Sequence, residues 1–397
     1  MVSGSSLGLA WGRVGTGTVN PATRNAAAPA RILVFRIGQL GDTIVALPAL
    51  WVLRQQFPQA HLTLLCDRHP TKHHVLASDL LAGAGVLDAF ESYVVDDSPV
   101  GRMLRPVRML GLWARLRRGR YDTMAYLAPS TRQPAEVARD RKFFAAAGIQ
   151  RFLGMDGFTP LPRKIAGQPL GSTPAESDLL LTRLAVDGLP VPGPGQGSLE
   201  LGVGAAEAQQ VSTWLHSQPT DGGRRWVGVG PGSKMPAKRW PEERFQTVVN
   251  RLIVTHGIWP VVFGGAEDRA VGDRLIATAG RGYNAAGQLS LRGSVAALKR
   301  CALYLGNDTG TMHLAAAAKV PCVALFSSRE WPGRWFPYGV EQTVLRTPIE
   351  CDGCALVECL ERDNECLRRI GPEAVVAAGL KYLESATDTQ TVNCPAI

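Results

Sequence analysis

The sequence predicts an α/β protein of two doubly wound, Rossmann-like domains facing each other across a cleft. Three observations carry this. The chain has 397 residues and is 45% hydrophobic, enough apolar mass for two cores. A strand, glycine turn, helix and second strand follow one another within the first ordered stretch, as a β-α-β unit requires. After a Pro/Gly-rich stretch from Val186 to Glu200, the same pattern restarts.

The first strand, Arg31 to Arg36, is a continuous apolar run suited to the middle of a parallel sheet. A turn, Ile37 to Asp42, leads into a helix expected from Thr43 to Gln56, stopped before Pro58. The next strand is His61 to Cys66, with others at Tyr93–Val95 and Tyr121–Leu127. Helices are expected around Phe143–Ala147 and over Glu176–Asp187. Beyond the Pro/Gly stretch come a helix (Ala205–Ser217), a strand (Trp226–Val229), a helix (Glu242–His256) and strands at Trp259–Phe263, Leu303–Leu305 and Cys322–Phe326. A last helix runs from Glu373 to Ala386. The domains so drawn are a disordered extension (1–30), a first domain (31–188), a linker (189–203), a second domain (204–370), a closing helix (371–386) and a tail (387–397).

Composition narrows the function classes. No run of about 18 apolar residues is present to cross a membrane, and residues 1–30 lack the basic start and compact apolar core of a signal peptide. The formal charge is +9, which favours anionic partners. Nucleic acid is not indicated: there is no zinc-finger spacing, RNA-binding signature or long basic tail. Seven arginines lie between Arg102 and Arg120 among Met103, Leu104, Leu110, Trp113 and Leu116. Pro106 is expected to interrupt this helix and its arginines spread around the wheel, so a helix covering a sheet is favoured over a membrane-facing element. Cys66, Cys301 and Cys322 fall in apolar, strand-like runs, and Cys394 stands apart. Without a signal peptide the expected compartment is reducing, hence cytoplasmic.

Ligands of doubly wound sheets sit outside the carboxyl ends of the strands. Three loops end strands there: Gly230–Arg239, Gly264–Asp268 and Asn307–His313. The last is the most informative. Asp308 or Thr309 can cap a helix, Gly310 allows close approach to the backbone, and the first-turn amides with the helix dipole make an anion site at which His313 is aimed. In the second loop Glu267 either holds ribose hydroxyls or opens a helix. In the first, Lys238 and Ser233 either meet a phosphate or form a solvated basic loop. The spacing is not that of a P-loop, and Gly38-x-x-Gly41-Asp42 lacks the third glycine of a dinucleotide-binding turn. Asp42 is either a helix cap or a general base.

Together these blocks resemble glycosyltransferase family 9, the bacterial ADP-heptose:lipopolysaccharide heptosyltransferases. The resemblance rests on Arg36-x5-Asp42 followed by Leu47-Pro48-Ala49-Leu50, on Gly232-Ser233 with Lys238-Arg239-Trp240-Pro241, and on Asp308-Thr309-Gly310-x-x-His313-Leu314-Ala315 with the following Pro321 to Phe326. The run Cys351-x2-Cys354-x4-Cys359-x6-Cys366 is similar too, and the likeness spans roughly residues 31 to 386.

The resemblance implies a GT-B fold, with acceptor binding in the first domain and the nucleotide sugar in the second. It implies inverting transfer without an essential metal. Asp42 would be the catalytic base. Ser233 and Lys238 would hold the pyrophosphate, Glu267 the ribose, and Leu289 would border the adenine. Asp308 would hold sugar hydroxyls, with Thr309, Gly310 and His313 serving the phosphates and leaving group. Arg36 matches the opening motif, and Arg132 would meet an anionic acceptor. Yet Leu127 to Arg132 departs from the family's Leu-Gln-Gly type of sequence there.

The implied reaction moves heptose from ADP-heptose to a lipopolysaccharide core, a phosphorylated lipid acceptor at the inner leaflet, where peripheral membrane contact would fit the positive charge. No Asp-x-Asp element suits a divalent ion. The four clustered cysteines could hold structural zinc or iron, as iron is held in some protein-glycosylating relatives, or remain reduced structural thiols. Rival readings are a family member using another nucleotide sugar or a protein acceptor, and a non-catalytic nucleotide-sugar-binding protein that would not need Asp42.

Overall fold

A computed structural model describes residues 29–390 apart from 70–75, 163, 166 and 167. Most of the expected 1–30 extension, the end of the tail and Cys394 lie outside the described residues. The first half runs β1 (Arg31–Phe35), α1 (Leu40–Val45), α2 (Leu47–Gln56), β2 (His61–Arg68), α3 (Ala77–Leu81), β3 (Ala89–Val94), α4 (Pro99–Gly119), β4 (Thr123–Tyr126), α5 (Pro134–Ala146), β5 (Arg151–Leu153) and α6 (Glu176–Val186). The second runs α7 (Ala205–Leu215), β6 (Trp226–Gly230), α8 (Glu242–His256), β7 (Trp259–Val262), α9 (Arg269–Ala279), β8 (Tyr283–Asn284), α10 (Leu291–Leu298), β9 (Cys301–Asn307), α11 (Gly310–Ala317), β10 (Cys322–Phe326), β11 (Gln342–Arg346), α12 (Glu365–Arg368) and α13 (Pro372–Gln390).

Each half contains one parallel sheet, in the orders β3-β2-β1-β4-β5 and β11-β10-β9-β6-β7-β8. The apolar run of β1 feeds both faces. Ile32 and Val34 join the core under α1, α2 and α6, while Leu33 and Phe35 meet Leu112, Leu116 and Phe144 from α4 and α5. Because all the strands are parallel, the turns after β1, β6, β7 and β9 open on the carboxyl edges of the two sheets.

Three local expectations change. The helix after the first glycine turn is two helices parted at Ala46, because Pro48 sits in the first turn of α2, where its missing N–H costs nothing. The strand expected at Tyr93–Val95 is β3, shifted earlier. It is a half-buried edge strand carrying Glu91 and Ser92, which hides it from an apolar-run reading. Pro106 does not interrupt α4, which runs 21 residues through it. The bond it removes is to the carbonyl of exposed Arg102, which water can satisfy.

The halves are packed together. Glu176 at the start of α6 is fully buried and accepts from the Ser130 amide at 2.9 Å and from Arg334 Nε, beyond β10, at 2.8 Å. The connecting stretch is pinned on both sides. Trp51 Nε1 donates to the Glu200 carbonyl at 2.9 Å, and Arg292 donates to the carbonyls of Leu80, Leu201 and Gly202.

Candidate active site

Between the two carboxyl edges lies a cleft of about 750 Å³, large enough for a nucleotide sugar. One wall is Gln39–Asp42 with Asp79. The other is made of the turns after β6, β7 and β9 with the start of α10, and Glu330 and Trp335 close one end.

Asp42 stands in the first turn of α1. Its Oδ2 accepts from the Gln39 amide at 2.9 Å, and its Oδ1 lies 3.2 Å from Arg36 Nη2. The helix cap and the cleft carboxylate are thus one side chain, 24% exposed. Gly38 makes this seat: its φ is +119°, and a Cβ there would lie 2.4 Å from Asp42 Cγ. Burial pushes the Asp42 pKa up, and Arg36 and the Gln39 amide pull against it. Arg36 is itself buried. It donates Nε to the Asp42 carbonyl at 2.8 Å and Nη1 to the Leu127 carbonyl at 2.7 Å. Its Nη1 also lies 3.9 Å from Glu176, so the chain Asp42–Arg36–Glu176–Arg334 joins this wall to the second half.

The opposite wall is organised by Asn307, fully buried at the end of β9. Its Nδ2 donates to the Pro231 carbonyl at 2.7 Å, and its Oδ1 accepts from the Trp240 amide at 3.1 Å. The turn after β6 is thereby tied to the turn after β9. In the gap, Lys238 Nζ lies 2.6 Å from Asp308 Oδ2. Buried Ser233 accepts from the Met235 amide through its hydroxyl, and its carbonyl accepts from Arg239 Nε. Thr309 is the N-cap of α11 but makes no side-chain cap bond. Its hydroxyl instead lies 2.7 Å from that of Thr311, which lies 2.9 Å from Tyr304 Oη. The first-turn amides of α11 have no acceptor within the helix, and Thr309, Gly310 and Thr311 line the cleft.

His313 is buried, with Trp335 edge-on at 6.2 Å between ring centroids. Burial lowers its pKa to about 4, with Asp308 raising it and Lys238 lowering it further, so its imidazole is neutral at pH 7. The walls meet here. A Cβ on Gly41 would lie 3.0 Å from His313 Cδ2, and one on Gly310 would lie 2.7 Å from Leu40 Cδ2. What approaches the Gly310 backbone in this structure is therefore Leu40 of the opposite wall. Exposed Glu267 and half-buried Leu289 line the far end of the cleft.

The model of glycosyltransferase family 9 (heptosyltransferase) matches residues 109–364, well over half of the chain. The chain belongs to glycosyltransferase family 9. It is 35% identical to lipopolysaccharide heptosyltransferase 2 of Salmonella typhimurium over 109 residues, which make up 26% of this chain and 31% of that protein. The chain thus spans about a third of that curated relative's length. Among solved structures, a family 9 glycosyltransferase from Veillonella parvula aligns with a TM-score of 0.66 at 24% identity, covering 90% of this chain and 97% of that one. The ADP-heptose lipopolysaccharide heptosyltransferase II of E. coli aligns with a TM-score of 0.62 at 22% identity, covering 90% and 99%. The two-sheet architecture is the GT-B fold.

In this family 9 chain, Arg132 does not line the cleft. It is spent on Glu136 at 3.0 Å and Asp140 at 2.8 Å along α5. Nor is Arg36 open to an acceptor, being committed to Asp42 and Leu127. The four cysteines lie near one another: burial raises the Cys351 pKa, and Cys354, Cys366 and Cys359 each add to it, against Arg362. Among the described residues no group of three or more thiol, imidazole or carboxylate side chains could hold a metal ion, and Cys366 Sγ accepts from the Ser328 amide at 3.4 Å.

Sequence reasoning missed several cleft residues. Asp268 sits between two glycine turns: a Cβ on Gly232 would lie 1.9 Å from its Oδ1, and one on Gly264 would lie 2.5 Å from its Oδ2. It accepts from the Gly265 amide at 3.0 Å, and burial raises its pKa. The paired glycines were its signal. Glu330 and Trp335, joined by a 3.2 Å hydrogen bond, had none, since they reach the cleft from the long loop between β10 and β11.

Proposed function

We propose that this family 9 glycosyltransferase is an inverting heptosyltransferase that moves heptose from ADP-heptose to a lipopolysaccharide core acceptor in the cytoplasm. The observation that carries it is the meeting, in one cleft, of a seated carboxylate on the first wall and a cationic, amide-lined anion site on the second. Family membership and the name of the Salmonella relative support heptose and lipopolysaccharide as the substrate class.

The acceptor hydroxyl attacks the anomeric carbon from the face opposite the nucleotide, and its proton passes to Asp42. A hydroxyl is a poor nucleophile until such a base is in place. Burial makes Asp42 more basic than an exposed aspartate, while Arg36 keeps it ionised and fixes its direction. As the new C–O bond forms, the bond from the anomeric carbon to the β-phosphate oxygen breaks and ADP leaves with the electron pair. Lys238 and the first-turn amides of α11 stabilise the charge that develops there, a task a divalent ion performs in other transferases. His313, neutral at pH 7, contributes a hydrogen bond rather than a charge. Ser233 steadies the pyrophosphate turn, Asp308 accepts from sugar hydroxyls once Lys238 turns to phosphate, Glu267 takes the ribose, and Leu289 packs on the adenine.

The test is turnover with ADP-heptose against UDP- and GDP-sugars on a truncated core acceptor, read by product mass spectrometry. A product carrying one added heptose, formed from the ADP donor alone and with inverted anomeric configuration, is expected. No transfer from any nucleotide sugar overturns the reading.

A further inference from the structure

The first three turns of α4 carry an apolar surface that no described residue covers. Val100, Met103, Leu104, Val107 and Leu110 are 60%, 72%, 39%, 69% and 65% exposed. Their spacing puts all five on one stripe about a third of the helix circumference wide. The opposite face, through Met109, Leu112, Trp113 and Leu116, is the one that joins the sheet core. The helix is therefore two-faced: its second half covers the sheet, as the sequence favoured, and its first half points apolar side chains outward. Five large apolar side chains on one exposed helix face mark an interaction surface rather than scattered surface residues.

The helix itself carries charge of one sign only. From Pro99 to Arg120 there are seven arginines and no acid. Arg102, Arg105, Arg115, Arg117 and Arg118 are exposed; helical spacing puts Arg117 at the border of the stripe and Arg118 in line with it, with Arg102 and Arg105 on the other side of the helix. Among the described residues, two of the seven are held by carboxylates, Arg108 by Asp96 at 3.3 Å and Arg115 by Glu91 at 3.5 Å. Between α4 and the edge strand β3 lies a second cavity, of about 520 Å³, lined by Arg68, Arg108 and Arg115 against one carboxylate, Glu91, with Phe90 and Tyr93 alongside, so its lining stays net positive. It has the size and charge for a phosphate headgroup. A second copy of the chain docked stripe to stripe would set arginines against arginines, which disfavours self-association.

We propose that the outward face of α4 docks on an anionic phospholipid bilayer, the apolar stripe lying in the headgroup–acyl boundary and the arginines on lipid phosphates. An apolar face flanked by arginines is the pattern of an interfacial helix. The placement suits the cleft. Four residues separate the end of β3 from the start of α4, which lies on the carboxyl edge of the first sheet, the same edge from which Asp42 faces the cleft. A lipid-linked acceptor in that bilayer would be presented to the wall that holds the carboxylate. The docking itself rests on α4 and its pocket and stands whether or not the transferase reading holds.

The test is co-sedimentation of the full chain with phosphatidylethanolamine–phosphatidylglycerol vesicles and with phosphatidylcholine vesicles. Binding to the anionic vesicles alone, weakened by added salt, is expected. The double variant Met103→Glu, Val107→Glu should lose at least about tenfold in bound fraction, and Arg117→Glu, Arg118→Glu a similar amount. All four side chains are exposed, so the thermal midpoint should stay unchanged. The proposal is overturned if the wild-type chain stays in the supernatant at low salt, binds both vesicle types equally, or binds as well after the α4 changes. A stripe that instead holds a stable dimer, broken by the glutamates and without affinity for vesicles, overturns it too.

Discussion

Lys238 Nζ lies 2.6 Å from Asp308 Oδ2, with the two side chains only 13% and 5% exposed. The ion pair spans the gap between the turn after β6 and the turn after β9, where the anion site lies. A diphosphate arriving there competes with Asp308 for the ammonium. On the proposed function the pair would hold the cation in place and leave Asp308 free to accept from the sugar once the phosphate takes over.

Replacing Lys238 by Met should lower kcat/KM by about 10²–10³-fold, the usual loss for one charge-stabilising donor. It also leaves Asp308 buried without its partner, which should cost about 3 kcal/mol of stability. Steady-state kinetics with a denaturant titration read both. Asp308→Asn in the same background should restore much of the stability and none of the activity.

His313 gives a pH prediction. Its folded pKa of about 4 lies below the ordinary histidine value near 6.5, so between these values the unfolded chain binds a proton that the folded chain does not. Stability is complete above about pH 6.5 and falls as the pH drops towards 4, by up to roughly 3 kcal/mol. The variant His313→Gln should flatten that slope in melts followed from pH 7 to 4.5. The rate profile of the wild-type chain should show no limb near 6.5 from this residue.

Asp42 should set the acid limb instead. Burial raises its pKa, so activity should fall, as the pH drops, above the ordinary carboxylate range. Arg36 opposes the shift. In Arg36→Met the carboxylate loses its cation, its pKa rises further and the limb moves to higher pH, whereas Arg36→Lys should move it less. A guanidinium that only held the fold together would leave the limb in place while lowering the melting temperature.

Glu176 and Arg334 make the buried link between the halves. Burial alone would raise the Glu176 pKa, but Arg334, Arg36 and Arg183 hold it below the ordinary value. Arg334→Met should destabilise the chain by about 3–5 kcal/mol, the cost of breaking a buried pair by removing one partner. The denaturation midpoint reads this directly.

The sequence showed what is local and concealed what is tertiary. The turns holding Asp42, Lys238 and Asp308–His313 were legible because strand, glycine turn and helix start are adjacent in the chain. That Lys238 and Asp308 face one another was not, since some 70 residues separate them and only the β6–β9 pairing joins their strands. Asn307 looked like the first residue of the turn, yet it ends β9 and ties two turns together. Arg132 looked free in its loop, while the carboxylates that claim it lie one and two turns along α5. On α4, Pro106 suggested a break, and only the burial pattern separates the covering half from the exposed one.

The central claim is that Asp42 takes the acceptor's proton while the second half holds the donor. Asp42→Asn tests it most directly, because the amide keeps the size of the side chain and an oxygen for the Gln39 amide but cannot serve as the base. Turnover of ADP-heptose and the dissociation constant for ADP should be measured on the same preparation. The account predicts that turnover falls by at least about 10³-fold while ADP binding changes by less than about threefold. Turnover within about tenfold of wild type, with ADP binding intact, would contradict it.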